Sequence, residues 1–175
     1  MKKILIALVA ILMVLPVMLA ACGKSEKTLE DIKKAGTITM ATCSGFEPFE
    51  ILGTDGKVTG VDVDIAQAIA DYLGVKLEIA DVDFDSIVPG VQSGKFDLGV
   101  AGITANDARR KNVDFSADYY TASQAIIVLS TNTTITSAED VKKLTVGVQK
   151  GTTGASYCEE NGIKYNSYDN GAAAC

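Results

Sequence analysis

An α/β fold with mainly parallel sheets flanked by helices is what this sequence predicts, and three observations carry that prediction. Short segments rich in Val, Ile and Thr alternate along the chain with segments of helical apolar spacing. Caps such as Thr28, Asp62, Asp85, Thr104 and Ser137 stand where helices should begin, and glycines such as Gly36 and Gly74 stand where they should end. The run Ala125-Ile126-Ile127-Val128-Leu129 is apolar on both faces, as a central strand of a covered sheet must be. Strands that alternate with helices in this way form parallel sheets covered on both sides.

Thr28-Leu29-Glu30-Asp31 sets a hydroxyl three residues ahead of an acid, so a helix should start there and stop at Gly36. Residues 37–42 alternate and are β-branched, hence a strand. Asp55-Gly56-Lys57 marks a turn between Glu50-Ile51-Leu52 and Val58. Asp62 is expected to cap a helix that buries Ile65, Ile69, Tyr72 and Leu73 on one face and ends at Gly74. Val75, Leu77 and Ile79 then alternate with polar partners as a strand. Asp85 should cap a short helix with Pro89 in its first turn, where a missing N–H does little harm. Residues 97–102 are the next strand, and Thr104-Ala105-Asn106-Asp107 should cap a helix carrying Arg109 and Arg110. After the strand at 124–130, Ser137-Ala138-Glu139-Asp140 caps another helix. Residues 145–149 are a strand, and Gly151-Thr152-Thr153-Gly154 leads into a helix ending at Asn161-Gly162. Residues 163–168 are the last strand.

A faint repeat suggests two sub-domains. Leu29-Glu30-Asp31-Ile32-Lys33-Lys34 before a strand is echoed by Ala138-Glu139-Asp140-Val141-Lys142-Lys143 before another. Each strand ends in a loop of ligand size, 43–49 and 150–154. Open α/β sheets bind ligands beyond the carboxyl ends of their strands, so two such loops facing one another would make a cleft.

The start of the chain has a separate role. Lys2 and Lys3 precede an unbroken apolar segment of 18 residues from Ile4 to Ala21, closed by Leu19-Ala20-Ala21-Cys22. A basic start, an apolar middle and small residues at the end make a secretory signal. The length approaches the ~20 residues that span a bilayer. Pro16, the Ala-Ala-Cys end and the polar residues that follow favour cleavage, which gives a signal over 1–21 and a tether over 22–27. The same Leu-Ala-Ala-Cys resembles the lipobox of bacterial lipoproteins. That resemblance implies acylation at Cys22 and an exported protein held at the outer face of the cytoplasmic membrane, each buried CH₂ adding ~0.8 kcal/mol.

The net charge of −6 becomes −8 once Lys2 and Lys3 leave with the signal, so the chain has no electrostatic footprint for nucleic acid. The absence of histidine excludes Ser-His-Asp and Cys-His nucleophiles and histidine-bearing metal sites. Of four cysteines, lipid would consume Cys22. Cys43, Cys158 and Cys175 leave two arrangements open: a Cys158–Cys175 pair with one free thiol, or three free thiols. No C-x-x-C spacing supports a zinc or redox motif, and no metal or cofactor is expected.

Arg109 lies five residues after Thr104, so a capped helix start and a planar, permanently charged fork share one region. Together they would trap a carboxylate, since charge-assisted bidentate bonds are roughly twice as strong as neutral ones. The run Arg109-Arg110-Lys111 is equally consistent with a solvated basic surface. Gly151-Thr152-Thr153-Gly154 offers backbone N–H groups and two hydroxyls to an anion, or is an ordinary strand-to-helix turn. The P-loop spacing is absent. Phe46 is assigned to a ligand and Phe49 to the core, while Glu47 and Glu50 are expected to be solvated.

The ordered set of motifs is more specific than any one of them. Gly45-Phe46-Glu47-Pro48-Phe49, Gly60-Val61-Asp62-Val63-Asp64-Ile65-Ala66 and Asp97-Leu98-Gly99-Val100-Ala101-Gly102-Ile103-Thr104 are followed by Arg109, Asp114-Phe115-Ser116, Tyr119-Tyr120 and Gly147-Val148-Gln149-Lys150-Gly151-Thr152-Thr153. From about Thr28 onward the chain resembles the family 3 extracellular solute-binding proteins, the polar amino-acid receptors of ABC importers. The resemblance implies a periplasmic-binding-protein-like fold of two lobes that close on a free amino acid. Lobe 1 would span 28–126, a crossover hinge 127–130 within the strand 124–130, and a partial lobe 2 131–175. It implies that Arg109 pairs with the ligand α-carboxylate, helped by the N–H groups of Thr104 and Thr153. The Gly102 carbonyl and Thr104 hydroxyl would accept from the α-ammonium. Phe46 and Phe84 would sandwich the side chain, and Ala101, Gln149 and Thr152 would line the pocket. Cys43 stands where relatives often carry an Asp, Asn or Glu, which leans toward a neutral polar ligand such as glutamine. The chain ends before the second crossover of such relatives, so the second lobe is expected to be incomplete. The partners implied are a free amino acid, a membrane ABC permease and the membrane itself through the lipid, with the protein a monomer. A cyclic-carboxylate dehydratase of the same fold and the ligand-binding domain of a sensor are the rival readings. The dehydratase needs an acid or base in the cleft, where only Cys43 is reactive in kind.

Overall fold

Residues 27–175 are described in a computed structural model; the signal expected over 1–21, Cys22 and residues 23–26 of the expected tether lie outside the described residues. Helix α1 (Leu29–Ala35) opens on the expected capping box. Thr28 Oγ1 accepts from Asp31 N at 3.2 Å, and Asp31 Oδ2 accepts from Thr28 N at 2.9 Å. Gly36 ends it in the left-handed region, at φ 74°.

Strand β1 (Thr37–Thr42) then takes the centre of a three-stranded parallel sheet. Strand β4 (Lys76–Asp81) pairs along its whole length, and β5 (Leu98–Gly99) pairs opposite Met40 and Ala41. The central position explains why Ile38, Met40, Ala41 and Thr42 are all buried. β5 is shorter than the expected 97–102, although Asp97 N and Val100 N still donate to the carbonyls of Thr39 and Ala41. Strands β2 (Ile51–Leu52) and β3 (Val58–Thr59) form an antiparallel hairpin over the Asp55-Gly56 turn.

Helix α2 (Val61–Leu73) packs through small residues. Asp62, Ala66 and Ala70, spaced by four, are its buried residues. Ile69 and Tyr72 are exposed, which corrects the expected Ile65, Ile69, Tyr72 and Leu73 face. Alanine brings the helix axis close to the sheet, and Ala66 joins Met40 and Val100 in one cluster. Asp62 does not cap this helix; Gly60 stands at the cap position. Helix α3 (Phe84–Gln92) begins after Asp83 instead of Asp85, so Pro89 is its sixth residue and lies beyond the first turn. Its Ile87 packs with Ala41, Cys43, Phe96 and Ala101 in a second cluster.

Helix α4 (Asp107–Arg110) is a single turn capped by Asn106, whose Oδ1 accepts from Arg109 N at 2.9 Å, so the expected Thr104 cap is corrected. Residues 124–130 join no ladder among the described residues, and Ile127 and Leu129 are 78% and 81% exposed. A strand apolar on both faces is buried only by ladder neighbours and covering layers, which these residues lack among the described ones. The helix expected after Ser137 is a 3₁₀ turn, Asp140–Lys143. Asp140 Oδ2 accepts from the backbone N–H groups of Thr136 and Ser137 and closes the preceding loop.

Strands β6 (Thr145–Gln149) and β7 (Lys164–Tyr168) pair in parallel around helix α5 (Thr153–Glu160). Val141, Val148, Ala155, Cys158 and Ile163 form their shared core. Helix α6 (Gly171–Ala174) follows. Cys43, Cys158 and Cys175 are all free, so of the two arrangements left open the structure holds three thiols and no Cys158–Cys175 bond. The architecture is α/β, with parallel sheets flanked by helices.

Candidate functional site

Arg109 stands where the two parallel sheets meet. Its main chain is fixed by the Asn106 cap, and its guanidinium reaches two backbone carbonyls on different parts of the chain. One terminal nitrogen donates to Thr104 O at 2.8 Å, and the other donates to Gly151 O at 2.9 Å. The guanidinium carbon lies 5.4 Å from the centre of the Phe84 ring, in cation–π contact. Burial pulls its pKa below the ordinary guanidinium value, yet an arginine keeps its charge in a protein. These two bonds use two of five N–H donors. Phe84, Asp85, Val88, Ile103, Arg109 and Gly151 enclose a cavity of about 110 Å³ at this point.

Glycine at 151 permits that meeting. Its φ is 68°, and a Cβ there would stand 2.8 Å from Asp85 Cβ on α3. The rest of the β6–α5 loop is organised by capping. Thr152 Oγ1 donates to Gln149 O at 2.8 Å and accepts from Ala155 N at 3.3 Å. Thr153 Oγ1 accepts from Gln124 Nε2 at 2.8 Å. Gln149 Nε2 crosses to Cys43 Sγ at 3.5 Å and also donates to Asp169 O at 3.2 Å. Burial, then the negative charge of Asp81, raises the pKa of the Cys43 thiol and keeps it neutral.

Phe46 is half exposed and stacks on Phe49 with ring centres 5.4 Å apart, while Phe49 meets Tyr120 edge-on at 5.2 Å. The Phe46 ring closes over Gly102, where a Cβ would stand 3.0 Å from it. Ala101 is buried beneath, and Thr104 is exposed. The structure therefore gathers Arg109, Thr104, Phe84 and Gly151 at one point, Cys43 with Gln149 at a second, and Phe46 with Gly102 at a third. Thr152 contributes its hydroxyl to the loop itself.

Two residues at the site were read otherwise in the sequence. Glu50, expected in solvent, is fully buried together with Thr42 and Asp62. Asp62, expected to cap α2, instead accepts from Gly102 N through Oδ2 at 2.7 Å. The available signal was the spacing of Asp62 with Ala66 and Ala70, which sets a carboxylate on the face that the small residues bury.

Residues 38–163 match the model of the bacterial extracellular solute-binding proteins, family 3. The chain belongs to that family. It is 40% identical over 151 residues to the arginine-binding extracellular protein ArtP of Bacillus subtilis (strain 168), covering 86% of this chain and 57% of that protein. It is 32% identical to the L-cystine-binding protein TcyJ of Escherichia coli (strain K12), over 82% of this chain and 55% of that one. An ancestral arginine-binding protein, solved with arginine, superposes with a TM-score of 0.75 at 43% identity, covering 79% of this chain and 63% of that one. The family 3 chain described here thus spans little more than half the length of the curated relatives it matches. By name, these relatives bind amino acids.

Proposed function

We propose that this family 3 protein binds a polar amino acid between two lobes and delivers it to the membrane permease of an ABC importer. Residues 28–126 are the first lobe, 127–130 the hinge, and 131–175 belong to the second lobe. One observation carries the reading: Arg109, on the first lobe, is aimed across to Gly151 on the second and retains donors for a carboxylate. The ligand α-carboxylate takes those donors, with Thr104 N and Thr153 N beside them. Its α-ammonium donates to Gly102 O and the Thr104 hydroxyl. Phe46 and Phe84 flank the side chain, which ends near Cys43 and Gln149, while Ala101 and Thr152 line the walls.

Cys43 and Gln149 are neutral where they meet, which supports glutamine. The relatives named for arginine make arginine the second candidate. The ancestral arginine-binding protein has also been solved with glutamine, which shows that its pocket admits both. The protein acts by closing on its ligand and catalyses nothing: the groups gathered at the cleft are aromatic rings, hydroxyls, glycines, an arginine and a neutral thiol.

Calorimetry with glutamine and with arginine tests the reading. Arg109→Ala should cost on the order of 2–5 kcal/mol of binding, the expected loss for a buried charge pair. Unchanged affinity in that variant would place the ligand elsewhere.

The anchor belongs to the same proposal. Acyl chains on Cys22 hold the exported protein at the outer face of the cytoplasmic membrane, motivated by Leu19-Ala20-Ala21-Cys22. Cys22→Ser should release the protein from the membrane fraction and remove the acyl mass. Equal membrane retention of both versions would show that the apolar segment, not lipid, holds the protein.

A further inference from the structure

We propose that Glu50 and Asp62 share a single proton, and that this protonated pair positions the two ligand loops of the first lobe, 43–49 and 100–104, against each other. The proposal rests on the binding reading above for its functional consequence. Its structural basis is independent of it.

Both side chains are fully buried, as is Thr42. Among the described residues, Thr42 Oγ1, both carboxyl oxygens of Glu50 and Asp62 Oδ1 have no hydrogen-bond partner. Two carboxylates cannot serve each other, because an ionised carboxylate only accepts. One proton changes that. A protonated Glu50 becomes a donor to Asp62, and Asp62 keeps its charge for the bond from Gly102 N.

The surroundings favour that proton. Burial above all, then the charge and hydrogen bond of Asp62, pushes the pKa of Glu50 up to about 8. Asp81, at the end of β4, acts in the same direction. The other titratable groups facing the pair are the Cys43 thiol after β1 and the Tyr119 hydroxyl. Tyr119 is itself driven up by burial and by Asp62, so it stays neutral. The charged neighbours are thus carboxylates, and two ionised groups at that depth are strongly disfavoured.

Each partner of the pair also holds a loop. Glu50 O accepts from Gly45 N at 3.0 Å and Phe46 N at 3.1 Å, and Glu50 N donates to Phe46 O at 3.1 Å. Asp62 N donates to Phe49 O at 3.2 Å, while its carboxylate holds Gly102 N. The chain from Gly102 runs directly to Thr104, whose carbonyl orients Arg109. The shared proton therefore joins the loop that carries Phe46 to the loop that aims Arg109. Glu50 and Asp62 are positioning residues. Ionising Glu50 sets a second negative charge beside Asp62 and loosens both loops.

The sign of the stability effect follows. Between about 4.5 and about 8 the folded chain keeps the Glu50 proton that the unfolded chain has lost. The contribution is therefore whole below about 4.5, declines as pH rises to about 8, and is level above it.

Carbon-13 NMR of the Glu50 carboxyl and nitrogen-15 NMR of the Gly102 amide in the ligand-free wild-type chain test the pair directly. Glu50 should stay protonated through neutral pH, and the Gly102 amide should shift with the same midpoint. A Glu50 carboxyl that titrates in the ordinary carboxylate range overturns the proposal, as does a Gly102 amide blind to its titration. The functional half is read by calorimetry with glutamine and arginine on both sides of about 8. Wild-type affinity should fall by up to tenfold per pH unit above that point, the limit for one linked proton. Glu50→Gln can donate as the protonated acid does but cannot ionise, so its profile should lack that decline. Titration of the ligand's own α-ammonium is common to both proteins and cancels in the comparison. Identical profiles overturn the positioning role. Failure of either amino acid to bind at any pH would sink the binding reading alone, since the NMR arm does not involve ligand.

Discussion

A side chain at position 151 has no room: its Cβ would stand 2.8 Å from Asp85 Cβ, at a φ of 68° that only glycine adopts freely. That glycine lets the β6–α5 loop lie against the start of α3 and brings its carbonyl to Arg109. Gly151→Ala should therefore destabilise the fold by about 1–3 kcal/mol and weaken ligand binding as well, because the carbonyl shifts with the backbone. Denaturation and calorimetry of the variant check this; wild-type values in both would show that the close approach is dispensable. That Arg109 and Thr104 share one region was legible from their spacing of five residues, and the guanidinium donates to Thr104 O at 2.8 Å. Its other partner, Gly151 O, was not legible, because a backbone carbonyl 42 residues away leaves no mark on the sequence. Glu50 shows the limit most sharply. A glutamate beside a turn reads as solvated, and only the folded chain shows that Asp62 and Thr42 surround it.

At the scale of elements, local chemistry carried the assignments that depended on neighbours in sequence. The Thr28 and Asp31 box, the Gly36 stop, β1 and β6 all stand where their residues placed them. Assignments that depended on what an element packs against fared differently. Helix α2 was expected to bury its largest apolar residues, but the sheet lies close enough that Ala66 and Ala70 fit and Tyr72 is left in solvent. The cap of α4 lies at Asn106 and not at Thr104; both types cap helices, and asparagine is the stronger cap of the two. The apolar run at 124–130, expected as a central strand, joins no sheet among the described residues, and Ile127 and Leu129 are exposed. Pairing needs a neighbour, and none of the described residues supplies one.

The alternation of strands and helices was enough to establish the α/β class for the whole molecule. In the two parallel sheets the pairing follows because a helix lies between each strand and its partner, as α5 does between β6 and β7; the β2–β3 hairpin, joined by a turn, is antiparallel. The meeting of the two sheets through Arg109 with Gly151, Gln149 with Cys43 and Gln124 with Thr153 is a property of the folded chain alone. Those contacts border the proposed ligand cleft. The most direct test is a crystal structure of the chain grown with glutamine or arginine. The ligand α-carboxylate should be bonded to the Arg109 guanidinium, with the side chain directed between Phe46 and Phe84 toward Cys43. A ligand seated away from Arg109, or one whose ammonium and not its carboxylate faces the guanidinium region, would contradict this binding mode.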